Sequence, residues 1–504
     1  MRYLPDGTQM KAADAYTIQE LGIPSLVLME RAALASVGEM EKRGFDLSRA
    51  LIVCGSGNNG GDGFAIARLL REKGMRPEIL FAGSESSLSG ECALQKQVAE
   101  RLGISVFTEF PEREYTSIID AVFGVGLSRE IEGRYRKVIE WMNEQPGRKA
   151  AIDIPSGVCA RTGRVLGIAF RAELTVCMAC VKLGCELYPG KNFAGETVPV
   201  SIGISPDYFE SDSRVCVTYD REDLSALLPV RWPDSHKGTY GKVLMITGCG
   251  GMAGASCLSA WAAYAVGAGL VQIYTAEENR TVLQQTLPEA IISCYEDYDE
   301  EKHQQLLDWA DVICIGCGLG KSEVSEQLLV NTLRALKDCE KPCIIDADGL
   351  NLLSGHMDLL RALSGGREPV ILTPHMMEMS RLTGKSVSEI AEGRQEILRS
   401  FVREYPAVCV LKDSRTMTAA DGRPVCVNLA GNSAMAKAGS GDVLAGVITG
   451  LTAQGISAYD SASLGVFLHA CAGDAARDEK GGYSVLARDL IAGLGTCMRD
   501  ASES

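Results

Sequence analysis

The 504-residue sequence is poor in aromatic residues, at 6%, and that shortage argues against an aromatic-rich β sandwich. Its five histidines, His236, His303, His356, His375 and His469, form no HExxH, which disfavours a zinc hydrolase. No GxSxG elbow precedes a helix, so an α/β hydrolase is also disfavoured. No apolar run approaches the roughly 18 residues of a membrane span. The opening MRYLPDGTQM lacks the basic-then-apolar order of a signal peptide, so the cytoplasm is the expected location. Positive charge is short as well: 50 Lys+Arg against 65 Asp+Glu leave a formal charge of −15. With no localised basic run, neither a nucleic-acid nor a membrane partner is expected.

What is present fits a folded chain with more than one core. Apolar residues make up 46% and charged residues 23% of a chain long enough for two to four domains at about 100–200 residues each. The 54 glycines favour an α/β protein with many tight loops. Eighteen cysteines are scattered through apolar segments such as LIVC and VCVTY, a pattern of reduced, buried thiols rather than a disulfide framework. The pairs Cys177/Cys180 and Cys314/Cys317 have CxxC spacing but no obvious second ligand pair, which speaks against structural zinc.

Along the chain, LVLMERAALASVGEMEKRG has a helical pattern, followed by a strand in ALIVC and a helix from FAIARLLREKG. RPEILFAG, SIIDAVFGVG, KAAIDIPSG and ELTVCMACVK repeat the theme of a short apolar strand ending in a Gly-rich or polar turn. They predict an open parallel sheet with functional residues at its carboxyl edge, over residues 1–218. A boundary is expected between Val217 and Pro233, where an acidic helix start and two prolines change the pattern. Strands then resume in GKVLMITG, GLVQIYTA, ADVICIGCG, KPCIIDAD, EPVILTPH and AVCVLKD, predicting a second, larger α/β unit over 225–500.

Gly55–Gly60 fits GxGxxG after a strand, yet the next strand, EILFAGS, ends without the acid that would hold a ribose, so a plain dinucleotide dehydrogenase is disfavoured. The continuation Asn58-Asn59-Gly60-Gly61-Asp62 crowds two amides and a carboxylate into a loop that needs only glycine to turn. Helix capping could account for them. Asp120 and Asp153 recur at strand ends, and three such sites on one sheet edge read as a pocket. Gly316–Ser322 is one residue short of a phosphate loop, because Ile315 stands where glycine is required. Gly248–Ala253 fits GxGxx[GA] only weakly. Gly439-Ser440-Gly441-Asp442 opens an apolar helix, where backbone N–H groups can steady a moving phosphoryl group and Asp442 can take a proton from a hydroxyl. A plain N-cap with flexible glycines is the competing reading. Asp346-Ala347-Asp348 and Thr373-Pro374-His375 follow two other strands, and together they favour a phosphate-handling cleft.

These motifs in this order carry a specific resemblance. LMERA, GSGNNGGDG, DAVFGVGLSR and DIPSG, followed by SHKGTYGKVL, DADGLN, LTPHMMEM, VLKDSRT and GNSAMAKAGSGDVLAG, resemble the bifunctional NAD(P)H-hydrate repair family over nearly the whole chain. The resemblance implies a Rossmann-like three-layer epimerase domain followed by a ribokinase-like three-layer α/β dehydratase domain. The substrates implied are NADHX and NADPHX, whose nicotinamide ring carries water at C6 in two epimers, and the implied co-substrate is ADP. Carried over residue by residue, Asn58, Asn59, Gly60, Gly61, Asp62, Gly124, Val125, Gly126, Leu127, Ser128, Arg129, Glu130 and Asp153 line the hydrate site. Asp153 is the expected acid/base, with Asp120 the lesser alternative. Asn59, Asp120 and Ser156 surround a potassium ion, a hard oxygen set that suits it.

In the second domain Ala255, Gly318, His375 and Asp442 hold the hydrate, and Lys412, Asp413, Ser414, Arg415, Thr416 and Gly441 hold the nucleotide. Asp442 is the expected base, and magnesium is expected at phosphoryl transfer. A homo-oligomer is also implied. Ala438 and Met377 stand where the family often has glycine, and shape effects rather than loss of activity are expected there. Two other readings stay open from residues alone: a ribokinase-like sugar or vitamin kinase with an attached ligand-binding domain, and a noncatalytic nucleotide sensor, against which Asp153 and Asp442 both weigh.

Overall fold

The computed structural model describes residues 1–210, 212–337, 339, 341–363 and 370–503. Two compact units emerge, Tyr3–Cys216 and Val217–Ser504, the latter including Met1–Arg2. Among the described residues no helix is long and apolar enough to cross a membrane.

The strands in chain order begin with β1 (Arg2–Leu4), which lies at the edge of the larger sheet. The N-terminal unit carries β2 (Ala50–Cys54), β3 (Glu78–Phe81), β4 (Val106–Phe107), β5 (Ser117–Ala121), β6 (Arg148–Ile152), β7 (Leu174–Met178) and β8 (Glu196–Val200). They pair in parallel in the order β4-β3-β2-β5-β6-β7-β8. Alternate side chains of β2 enter different cores, Ile52 and Cys54 one, Leu51 and Val53 the other. That period of two buries both faces of the sheet and makes the three layers. The order reverses between β2 and β5, so the loops after these two strands splay apart and leave a crevice at the carboxyl edge.

The C-terminal unit adds β9 (Cys216–Thr218), β10 (Lys242–Ile246), β11 (Leu270–Ala276), β12 (Ile291–Tyr295), β13 (Val312–Ile315), β14 (Cys343–Ile345), β15 (Val370–Leu372), β16 (Ala407–Leu411), β17 (Met417–Ala419) and β18 (Cys426–Val427). Its sheet runs β1-β9-β18-β17-β16-β15-β14-β13-β10-β11-β12. The stretch from β12 to β16 is parallel, and β16, β17 and β18 turn antiparallel. Here too the order reverses, between β10 and β13. Helix Ser440–Ala453 packs on helix Ala253–Ala265 so closely that a Cβ on Gly446 would come within 2.0 Å of the Ser259 carbonyl. Glycine at that position permits the approach, which fixes the start of the Gly439–Asp442 turn.

The expected strands appear in both units, although Glu368 and Pro369 of EPVILTPH lie outside the described residues. The helix expected from Phe64 begins six residues earlier, at Asn58, so the Asn-Asn-Gly-Gly-Asp run forms its first turn rather than a preceding loop.

Candidate active sites

The crevice of the N-terminal unit holds a cavity of about 540 Å³. Of the residues expected there, Asn58, Asn59, Asp62, Gly124, Val125, Gly126, Leu127, Ser128, Arg129 and Asp153 line it. Gly60 and Gly61 are buried in the first helical turn: a Cβ on Gly60 would meet the Gly55 carbonyl at 2.0 Å and one on Gly61 the Met29 side chain at 2.6 Å, so the first lets the turn close and the second admits the neighbouring helix. Glu130 is exposed and lies off the cavity wall.

Asp153 follows β6 with φ +70°, an unusual backbone for a residue with a side chain. Its carboxylate is ion-paired with Lys182, which is 1% exposed and also donates to the Met178 carbonyl at 2.8 Å. Residue-type reasoning had missed Lys182, along with Asp14 and Lys11 on the helix Gly7–Gln19, all of which line the cavity. The lysine follows directly on an apolar run, where only the turn after β7 sends it inward. Burial, then the charges of Asp153 and Asp14, push the Asp62 carboxyl well above the usual carboxylate range. Asp14 is raised by burial, Asp153 and Glu91.

Asp120, wholly buried at the end of β5, accepts from the Ser156 amide at 2.7 Å, the Ser156 hydroxyl at 2.7 Å and the Val122 amide at 3.1 Å. Burial raises it to about 6 against the pull of these bonds. Among the described residues both polar atoms of the Asn59 amide are buried without a hydrogen-bond partner, and its side chain lies against Gly124. An orphaned amide on a first helical turn, with the carboxylate at the end of β5 and the Ser156 hydroxyl bonded to it, fits a hard monovalent cation. Among the described residues no cluster of three or more His, Cys, Asp or Glu could hold a metal ion. The cysteines are free thiols.

In the C-terminal unit, Asp442 sits in the first turn of Ser440–Ala453, raised to about 6 by burial and then by Asp346. Asp346 follows directly on β14 and pairs with the Lys412 ammonium at 2.6 Å. A Cβ on Gly441 would lie 3.7 Å from that ammonium and 3.8 Å from Asp346 Oδ2, so Gly441, Lys412 and Asp346 converge. Burial opposes charge on Lys412, but Asp346 and Glu378 outweigh it and hold the lysine protonated. His375 caps helix Met376–Thr383, its Nδ1 accepting from the Met377 and Glu378 amides, and it bridges in parallel to Lys412. Burial and Lys412 lower its pKa, keeping the ring neutral as a cap requires.

Gly318, at φ +58°, faces Ala255, with 2.8 Å from a built Cβ to the alanine Cβ. The Lys412–Thr416 turn is braced: Asp413 pairs with Arg394 at 2.9 Å, the Ser414 amide donates to Asp413, Arg415 donates to the Leu429 carbonyl at 3.0 Å, and the Thr416 hydroxyl donates to the Asp413 carbonyl. Asp346 was recognised as a strand-end residue but not as a partner of Lys412. Ser440, whose hydroxyl lies 3.4 Å from buried His469, was not singled out.

Comparison with known proteins separates the same two units. The profile of a family described as NAD(P)H-hydrate dehydratase matches residues 243–494, and that of YjeF-related protein N-terminus matches 25–184. Relatives named bifunctional NAD(P)H-hydrate repair enzyme Nnr include those of Moorella thermoacetica, 33% identical over 99% of this chain and 97% of the relative, and of Coxiella burnetii, 36% identical over 94% of each. A solved ribokinase-like superfamily protein from Enterococcus faecalis is 28% identical, with TM-score 0.51, over 57% of this chain and 96% of its own.

Proposed function

The chain belongs to the family of bifunctional NAD(P)H-hydrate repair enzymes, and on that premise we propose that it restores hydrated nicotinamide cofactors in two steps. The N-terminal unit interconverts the (R)- and (S)-epimers of NADHX and NADPHX. The C-terminal unit then converts the (S)-epimer to NADH or NADPH with ADP, releasing AMP and phosphate.

The observation that carries the reading is the convergence of Asp442, Gly441, Lys412 and Asp346 at one helix start. Hydroxide is a poor leaving group, so the C6 hydroxyl is first phosphorylated. Asp442, once ionised, takes the hydroxyl proton as that oxygen attacks the β-phosphorus of ADP, and the phosphorus–oxygen bond to AMP breaks. Lys412, fixed by Asp346, offers its ammonium to phosphate oxygens beside the Gly439–Gly441 amides. Loss of phosphate from C6 and of a proton from C5 then regenerates the reduced ring. Magnesium belongs to this proposal as a companion of the nucleotide. When bound, the ion would neutralise charge on the transferring phosphoryl group. In the epimerase unit Asn59, Asp120 and Ser156 would hold potassium, which would supply a fixed positive charge.

The test follows absorbance near 340 nm as the purified chain meets mixed NADHX epimers with magnesium, with and without ADP. Full recovery that requires ADP and releases AMP and phosphate in step with NADH supports the proposal. A folded chain that yields no nucleotide-dependent recovery, yet phosphorylates a stable hydroxylated metabolite, would move it to the sugar and vitamin kinases.

A further inference from the structure

The N-terminal cavity contains carboxyl groups in two distinct states of partnership. Asp153 is engaged: Lys182 pairs with its Oδ1, and the Met178 amide reaches the same oxygen at 3.3 Å. Asp62 lines the same cavity from the first turns of helix Asn58–Glu72, yet among the described residues no cation or hydrogen-bond donor meets its carboxyl group. Its titratable surroundings are Asp153 and Asp14 across the cavity, Cys54 on β2 and Cys92 on helix Gly90–Arg101, with Lys182 the opposing charge. Lys182 in turn faces Asp153, Asp62, Cys177 and Cys185. A buried ammonium in contact with one carboxylate stabilises that one as an anion, and a neighbouring unpaired carboxyl is then the cheaper place for a proton.

We propose that Asp62 is the catalytic proton donor of the epimerase unit, and that Lys182 is a positioning residue that reserves Asp153 as a fixed anion beside the reacting ring. This deepens the epimerase reading above, rests on it, and moves the acid from Asp153 to Asp62. Asp62 gives its proton to the C6 hydroxyl oxygen. The C6–O bond breaks, its electron pair leaves with water, and the N1 lone pair forms an N1=C6 iminium cation. The Asp153 carboxylate stabilises this cation. Water then adds to C6 from the other side, its proton goes to Asp62, and the electron pair returns to N1. No oxidant, reductant or co-substrate is consumed.

The test uses the full chain and measures (R)-to-(S) interconversion of NADHX by chromatography, with ¹⁸O incorporation from labelled water. ADP-dependent dehydration of the pure (S)-epimer by the same preparations reports on folding of the other unit, and thermal unfolding with circular dichroism reports on the whole chain. Asp62→Asn is expected to lower epimerisation kcat at least about 100-fold with KM within about threefold. Lys182→Met is expected to lower epimerisation kcat at least about tenfold with KM within about threefold, because Asp153 loses the ion pair that holds its carboxylate in place, and Lys182→Arg is expected to restore kcat to within a few-fold of wild type. The wild type should place ¹⁸O on C6. Epimerisation by folded Asp62→Asn within a few-fold of wild type, an unchanged kcat in folded Lys182→Met, or interconversion without ¹⁸O would each overturn the assignment. Failure of the wild type itself to interconvert epimers would instead remove the epimerase reading.

Discussion

Burial pushes two aspartates, one in each unit, up to about 6, and their surroundings give that shift opposite meanings. Asp120 carries three hydrogen bonds from the loops around it and is raised by burial in spite of them. Asp442 is raised by burial and by the neighbouring Asp346, beside a helix start that no side chain among the described residues caps. A carboxyl whose oxygens are already spent organising two turns is built to hold structure, or a cation, in place. A carboxyl unsettled by another carboxylate is built to exchange a proton. An equal shift therefore does not identify an equal role, and the partners do.

Variants that break this contrast separate the two roles. The largest effect is expected for Asp442→Asn, which should reduce dehydration of (S)-NADHX by about 10³-fold or more while epimerisation persists, measured by absorbance and chromatography on one preparation. Next, Lys412→Met leaves Asp346 buried without its counter-charge. Chemical denaturation should show the C-terminal unit destabilised by about 3 kcal/mol, with a raised KM for ADP. Wild-type dehydration should depend on pH as an ionised Asp442 requires. The group must be deprotonated to accept the hydroxyl proton, so kcat falls about tenfold per unit as pH drops below about 6 and levels above it. Potassium should raise the unfolding free energy of the N-terminal unit by about 2.7 kcal/mol at roughly 100 times its dissociation constant, and Asp120→Asn should abolish that response. Smallest of all, Ala438→Gly should leave dehydration within about threefold of wild type, because Ala438 is exposed and only backbone freedom changes.

Much of this contrast was legible in the order of residues. Short apolar strands ending in Gly, Asp or Ser marked both parallel sheets and put Asp120, Asp153, Asp346 and Asp442 at strand ends or a helix start. The missing parts have physical causes. The two-residue β4, the edge strand β8 with its mixed burial, and the partly exposed β12 carry too little alternation to be read locally. Lys182 resisted recognition because a lysine after an apolar run normally points to water, and its burial depends on the turn that aims it at Asp153. The pairing of Asp346 with Lys412 joins positions 66 residues apart, which only the packing of β14, β15 and β16 brings together.

The central claim, that one chain holds two separate sites acting in sequence, is tested most directly by mixing variants. Mixed NADHX epimers are incubated with ADP and magnesium and with Asp62→Asn, Asp442→Asn or both proteins together, and the final absorbance near 340 nm is read against the wild type. Expected are recovery of only the (S) share by the first variant, none by the second, and the full wild-type amplitude from the mixture. A mixture that recovers no more than Asp62→Asn alone, from two folded proteins, would contradict it.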